Sequence, residues 1–168
     1  MTATDAKGNA QMRQHDALGR VVRVQEPDGN VRTLDFDPEG NVLHAVDKQH
    51  DVTFAYQGMG RLRTRTEAAT TVEFEYDREE RLIGIKNEHG HVYRFEIGPT
   101  GLVVKESGFD GLTREYRRDP AGRVTKVLRP GERETAYEYD AGGRVVAAQH
   151  SDGTGEAYAY RQDGALLQ

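Results

Sequence analysis

Tyr137-Glu138-Tyr139-Asp140-Ala141-Gly142-Gly143-Arg144-Val145 returns in imperfect copies from near the start of the chain to its last residues. With the glycine as marker, copies fall at Gly19, Gly40, Gly60, Gly101, Gly122, Gly143 and Gly164, and Glu80 stands where an eighth glycine belongs. The intervals are 20 or 21 residues throughout. A fixed period in this range marks a repeat architecture. Function has to be read from a repeat rather than from a pocket.

Each copy reads as two strands and two turns. Six residues before the markers stand Leu34, Phe54, Phe74, Phe95, Tyr116, Tyr137 and Tyr158; four before them stand Phe36, Tyr56, Tyr76, Ile97, Tyr139 and Tyr160. These two columns hold 11 of the 13 aromatic residues, with Thr33, Asp35, Glu73, Glu75, Glu115 and Arg117 between and before them. Period-two alternation of this kind builds a strand with one face out of water.

The turn after that strand has a definite chemistry. Asp37-Pro38-Glu39-Gly40 and Asp119-Pro120-Ala121-Gly122 place Asp first, Pro second and Gly fourth, which predicts a type I turn closing in a left-handed residue, a bulged hairpin. Asp77 and Asp140 hold the same place. The next strand opens with Arg or Asn and an apolar residue, as in Asn41-Val42 and Arg123-Val124. At the other end, Asp28-Gly29, Asp110-Gly111 and Asp152-Gly153 predict tight primed hairpin turns, and Pro130-Gly131 marks another. Lys48-Gln49 and Ala68-Ala69 carry little turn signal.

No stretch keeps an apolar helical period between the glycines and prolines, so the chain reads as all-β. The expected fold is an antiparallel β-meander of about 14–16 short strands built from eight repeats of ~21 residues. Open sheets rarely pass ~10 strands without curling. The sheet should therefore be strongly curved, a shell or barrel-like segment, with its aromatic face buried. Residues 1–12 form a polar lead and 13–168 the repeat domain. Hydrophobic residues are 36% of the 168, against a usual ~45–50%, which fits a thin, one-sided core.

Charge and composition exclude several function classes. The net charge of −5 is spread among mixed acids and bases, with no basic block to follow a phosphate backbone, so nucleic acid is not expected as a partner. Cysteine is absent, which removes disulfides and thiolate metal sites. The N-terminus lacks the apolar core of a signal peptide, and no run approaches the ~18 apolar residues of a membrane span. The chain is expected to be made in the cytoplasm.

Tyr139-Asp140-Ala141-Gly142-Gly143-Arg144-Val145, Tyr76-Asp77-Arg78-Glu79-Glu80-Arg81-Leu82 and Phe36-Asp37-Pro38-Glu39-Gly40-Asn41-Val42 resemble the YD repeat of the RHS (rearrangement hotspot) family, over about residues 13–168. In that family, runs of such repeats coil into a hollow β-sheet shell around a C-terminal toxin, in bacterial polymorphic toxins and insecticidal toxin complexes. The resemblance implies a non-catalytic shell segment with a toxin or effector as cargo, exported by a dedicated secretion system as part of a larger protein. Its strand edges would dock to the rest of a shell or to a second copy. Family shells end in a core motif around Asp-Pro-x-Gly-Leu. Here Asp37-Pro38 and Asp119-Pro120 lead to Gly40-Asn41 and Gly122-Arg123, so self-cleavage is not carried over. Eight repeats are few for a closed shell, so an excised or orphan segment is expected. Leu166-Leu167-Gln168 would be the opening residues of a last strand whose edge is left uncapped.

The residues with chemistry read as structural. Asp37, Asp77, Asp119 and Asp140 could be paired carboxylates or calcium ligands, but Asp in a first turn position normally holds its own backbone. His89 and His91 flank Gly90, two ligands where zinc needs three or four. Arg20, Arg61, Arg81, Arg123 and Arg144 could form an anion ladder, or pair with Asp16, Asp77, Glu138 and Asp140. Tyr56, Tyr76, Tyr139 and Tyr160 with the phenylalanines could stack on sugars, the alternative being a carbohydrate- or cell-surface-binding module. No nucleophile elbow or phosphate loop occurs, so no catalytic, cofactor-binding or metal-binding residue is expected.

Overall fold

The computed structural model describes residues 2–4 and 10–167. Of the lead 1–12, residues 1 and 5–9 lie outside the described residues, as does Gln168. Among the described residues the regular structure is all strand, in sixteen segments. The chain divides into two compact units, one reaching to Arg81 with Ile85–Gly90, the other comprising Leu82–Gly84 and the chain from His91 onward.

The first unit is an antiparallel meander of β1 (Thr2–Thr4), β2 (Ala10–His15), β3 (Val21–Gln25), β4 (Val31–Phe36), β5 (Val42–Val46), β6 (Asp51–Gln57), β7 (Arg61–Glu67) and β8 (Thr70–Tyr76), each paired with its chain neighbour. β9 (Leu82–Lys86) falls where the units divide. The second unit repeats the pattern with β10 (Val92–Ile97), β11 (Val103–Ser107), β12 (Thr113–Arg118), β13 (Val124–Arg129), β14 (Arg133–Tyr139), β15 (Val145–His150) and β16 (Gly155–Ala157).

A β-bulge recurs at one place in the repeat. The register shifts between Gln14 and His15, Asp35 and Phe36, Ala55 and Tyr56, Glu96 and Ile97, Arg117 and Arg118, and Glu138 and Tyr139. The second residue of each pair belongs to the column four before the marker. The bulge adds local twist and re-aims that side chain.

The turns at the other end differ from the expectation of primed hairpins at Asp28-Gly29, Asp110-Gly111 and Asp152-Gly153. Gly29 N–H donates to the Glu26 carbonyl and Glu26 N–H to Asn30, and the same pair of bonds closes Gly108–Leu112 and His150–Thr154. These are bulged turns like the marker turns. The reason lies in the aspartates: each carboxylate accepts an N–H two residues on, from Asn30, Leu112 and Thr154, while only the following glycine takes positive φ. A primed turn would force Asp itself left-handed. Two successive left-handed residues occur instead at Ala68-Ala69, at φ 46° and 67°, where Glu67 pairs directly with Thr70, and at Gly131-Glu132, at φ 75° and 58°.

The aromatic columns are half-buried, which corrects the expectation of a buried aromatic face. Among the described residues of each unit only strands adjacent in the chain touch, so none of them forms a second layer over either face. The buried apolar side chains among the described residues are Val52, Val127 and Ala148. Val127 and Ala148 sit mid-strand and Val52 near the start of β6, each between two ladder neighbours. Period-two patterning says which face is apolar and is silent on whether anything closes over it.

Candidate functional site

The chemistry of this chain concentrates at the marker turns. In the Asp16, Asp37, Asp119 and Asp140 copies the glycine N–H donates to the aspartate carbonyl, and the aspartate N–H donates to the residue after the glycine. The marker glycines take φ between 78° and 94°, and Glu80 takes 61° in the same role. A β-carbon is penalised there, so Glu80 carries strain that its sisters avoid.

The carboxylate then locks the turn from outside. One oxygen of Asp119 accepts Arg123 N–H at 2.9 Å and the other accepts Arg123 Nε at 2.7 Å. Asp16 holds Arg20, Asp77 holds Arg81, and Asp140 holds Arg144 in the same way, while Asp37 holds both nitrogens of Asn41. These bonds favour the charged carboxylate. The Arg20, Asn41 and Arg123 side chains lower the pKa values of Asp16, Asp37 and Asp119, and the backbone N–H groups of Arg81 and Arg144 chiefly lower those of Asp77 and Asp140. Gly60, Gly101 and Gly164 follow Gln57, Gly98 and Arg161 instead, so their turns lack this carboxylate.

Three of the four locked arginines also reach the next repeat, while Arg81 has Ile97 in that column. The guanidinium carbon of Arg20 lies 4.8 Å from the centre of the Phe36 ring, Arg123 lies 4.8 Å from Tyr139 and Arg144 4.7 Å from Tyr160. The tyrosines of that column reach back. Tyr56, Tyr76, Tyr139 and Tyr160 donate their hydroxyls to the carbonyls of Val42, Leu62, Val124 and Val145, at 2.8, 3.0, 2.6 and 2.8 Å. Those carbonyls sit just beyond the last backbone pair of their ladders, as Val124 sits beyond Lys126↔Ala136. The phenol thus satisfies an acceptor that strand divergence leaves open.

One copy departs from this. Arg118 stands in the tyrosine column, and its Nη2 donates to the Val103 carbonyl at 3.2 Å, the place a hydroxyl would fill; its Nη1 donates to Gly122 O at 3.0 Å. Leu102 stands where an arginine would lie above it. A cavity of about 450 Å³ opens between Leu102, Arg118 and the turn Asp119–Gly122. Asn41 is another copy without a long cation, and a cavity of about 500 Å³ opens between it, Tyr56 and Gly60.

Two further clusters escaped the sequence reading. Glu106, on β11, accepts Tyr116 at 2.7 Å and Arg114 at 2.8 Å, and Tyr93 as well. Burial works to raise its pKa, but these donors outweigh it; burial and Glu106 together push Tyr116 up to about 12. On the other face, His44 Nε2 lies 2.7 Å from Asp51 and Nδ1 3.5 Å from Asp35, which raises its pKa, Asp51 first. Both clusters join residues whose proximity depends on ladder register, which no local motif encodes. Among the described residues no three His, Asp or Glu side chains are placed to hold a metal ion, and His89 faces Glu88 at 3.4 Å. Among the described residues no helix is long and apolar enough to cross a membrane.

Comparison with known proteins places this geometry. The family model described as teneurin YD-shell matches residues 1–165. Double-stranded DNA deaminase toxin A of Burkholderia cenocepacia is 29% identical over 157 residues, covering 84% of this chain and 11% of the toxin. Probable deoxyribonuclease RhsA of Dickeya dadantii is 24% identical over 166 residues, covering 95% of this chain and 10% of its own. The chain thus spans about a tenth of the length of these relatives. Among solved structures, the TcdB2-TccC3 crystal structure superposes with a TM-score of 0.78 at 18% identity, over 94% of this chain and 10% of that one. The Photorhabdus luminescens Tc holotoxin pore gives 0.77 at 17%, over 93% and 10%.

Proposed function

The chain belongs to the teneurin YD-shell family, and from that premise we propose that it is a non-catalytic wall segment of a larger β-sheet shell that encloses a toxin or effector. The observation that carries this reading is the way repeats are joined. Arg20, Arg123 and Arg144 lean forward onto the next ring, and Tyr56, Tyr76, Tyr139 and Tyr160 lean back onto the previous carbonyl, in units where, among the described residues, only neighbouring strands touch. Such an array is a wall element, extensible at both sides, and it commits its polar groups to its own backbone.

The deaminase and deoxyribonuclease activities in the relatives' names we assign to parts of those proteins outside the tenth that this chain matches. The motif set of Gly19, Gly40, Gly60, Gly101, Gly122, Gly143 and Gly164 with Asp37, Asp77, Asp119 and Asp140 and Tyr56, Tyr76, Tyr139 and Tyr160 is assigned to holding this wall. Residues 13–168 are taken as the repeat domain, docking by its strand edges to the rest of a shell and leaving the cell with it. The carbohydrate-platform reading is weaker, because the tyrosines of the column spend their hydroxyls on backbone carbonyls and two of them carry an arginine over the ring.

The test uses the complete reading frame that carries this segment. Limited proteolysis of the purified polypeptide should leave a cargo portion intact, and opening the wall by deleting this segment should expose it. Equal digestion of cargo with and without the segment would overturn the proposal.

A further inference from the structure

We propose that the cavity at Leu102 and Arg118 is a socket for one aromatic side chain of a partner polypeptide, a tyrosine or phenylalanine laid on the Arg118 guanidinium. The argument is internal to the repeat. In regular copies the slot between one marker turn and the next holds a guanidinium above an aromatic floor, at 4.7–4.8 Å. Here the two partners have changed places. The cation has become the floor, as Arg118, whose guanidinium carbon lies 5.7 Å from the centre of the Tyr116 ring, and Leu102 is too short to reach over it, so the slot stays open at about 450 Å³.

The complement of a cationic floor in this lattice is a ring. A guanidinium face attracts the negative face of an aromatic system, most strongly where water is displaced. The remaining walls suit the same occupant: Leu102, Val104 and Pro120 line the slot, with Leu102 37% and Val104 38% exposed, so apolar surface waits at its mouth. Arg118 Nε is buried and has no hydrogen-bond partner, the one such side-chain atom among the described residues. An acidic occupant fits less well, because Asp119 also lines the cavity. The slot is one side chain deep between two turns, which suits a residue carried on an extended chain crossing the rim.

The native chain is titrated with the capped peptide Gly-Gly-Tyr-Gly-Gly while the methyl resonances of Leu102, Val104 and Ala121 are followed by NMR. Gly-Gly-Leu-Gly-Gly and p-cresol serve as comparisons. The tyrosine peptide should shift these methyls and bind roughly threefold or more tighter than the leucine peptide, the size of a cation–π preference, and tighter than p-cresol. The double variant L102R/R118Y restores the regular pair, fills the slot from within and should abolish the shifts. Absence of shifts at these methyls, or equal binding of the leucine peptide, would overturn the socket, and both are read on the native chain. Binding of p-cresol as tight as the peptide would overturn the polypeptide occupant. Retention of the shifts in a folded double variant would place the peptide elsewhere and refute the assignment.

Discussion

Tyr139→Phe isolates the backward bond of the repeat. The phenol donates to the Val124 carbonyl at 2.6 Å, beyond the end of the ladder between β13 and β14. A net hydrogen bond of this kind is worth about 0.5–1.5 kcal/mol, and at this half-buried site water can replace part of it, so a loss of about 1 kcal/mol is expected. Phenylalanine keeps the ring under Arg123, whose guanidinium carbon lies 4.8 Å from the ring centre. The forward contact should therefore survive. In a double-mutant cycle Arg123→Gln should be additive with Tyr139→Phe, yet coupled to Tyr139→Leu by about 0.5–1 kcal/mol, the worth of the cation–π contact. Urea unfolding followed by circular dichroism, compared at constant m-value, reads the free energies of both cycles. Tyr137→Phe is the control, since its hydroxyl is not one of the carbonyl-capping set, and should stay within about ±0.5 kcal/mol. If Tyr139→Phe costs no more than Tyr137→Phe, the carbonyl has another solvent and the reasoning about ladder ends fails.

Glu80→Gly should stabilise by roughly 0.5–1 kcal/mol, because relief of the left-handed backbone outweighs an exposed ion pair to Arg61; Gly143→Val should cost about 1–2 kcal/mol at φ 80°, and thermal melts check both signs. Asn41→Arg should raise the melting temperature by keeping the Asp37 bonds, closing the cavity of about 500 Å³ and stacking on Tyr56; an unchanged or lower melt would show that the slot resists filling. The raised pKa of His44 means its contribution is full below the ordinary value of 6.5 and is lost as pH rises through the folded value. His44→Gln should accordingly lower the melting temperature at pH 6 more than at pH 8. The turn aspartates titrate the other way, and stability should fall as pH drops below their ordinary 3.8.

The marker turns were legible because their determinants are local: Asp, Pro and Gly act within four residues, and the sequence shows all of them at Asp119–Gly122. Asp28-Gly29 misled for the same reason in reverse. The dipeptide favours a primed turn, but the carboxylate's bond to Asn30 N–H settles the choice, and that depends on loop length. Strand alternation identified the aromatic face correctly and could not say that it stays half open, since covering is a property of layers. The ladder of arginines was read as ion-paired, which Asp16, Asp77 and Asp140 bear out in contact, yet the rings beneath Arg20, Arg123 and Arg144 were not foreseen. Reaching them requires counting across a turn, a strand and the next turn. Arg118 and His44 were hidden likewise: each is an ordinary polar residue until the register sets it opposite Val103 or between Asp35 and Asp51.

The interlocking of neighbours makes the number of repeats a free variable. Excising residues 123–143 would join Gly122 directly to Arg144. Asp119 would then clasp Arg144 in place of Arg123, Arg144 would still lie on Tyr160, and Tyr160 would still cap Val145. The clasp, the stacked ring and the carbonyl cap are all rebuilt from residues of the same kind. A chain written in such units can lengthen or shorten by recombination between its own copies, one repeat at a time, without composing a new joint.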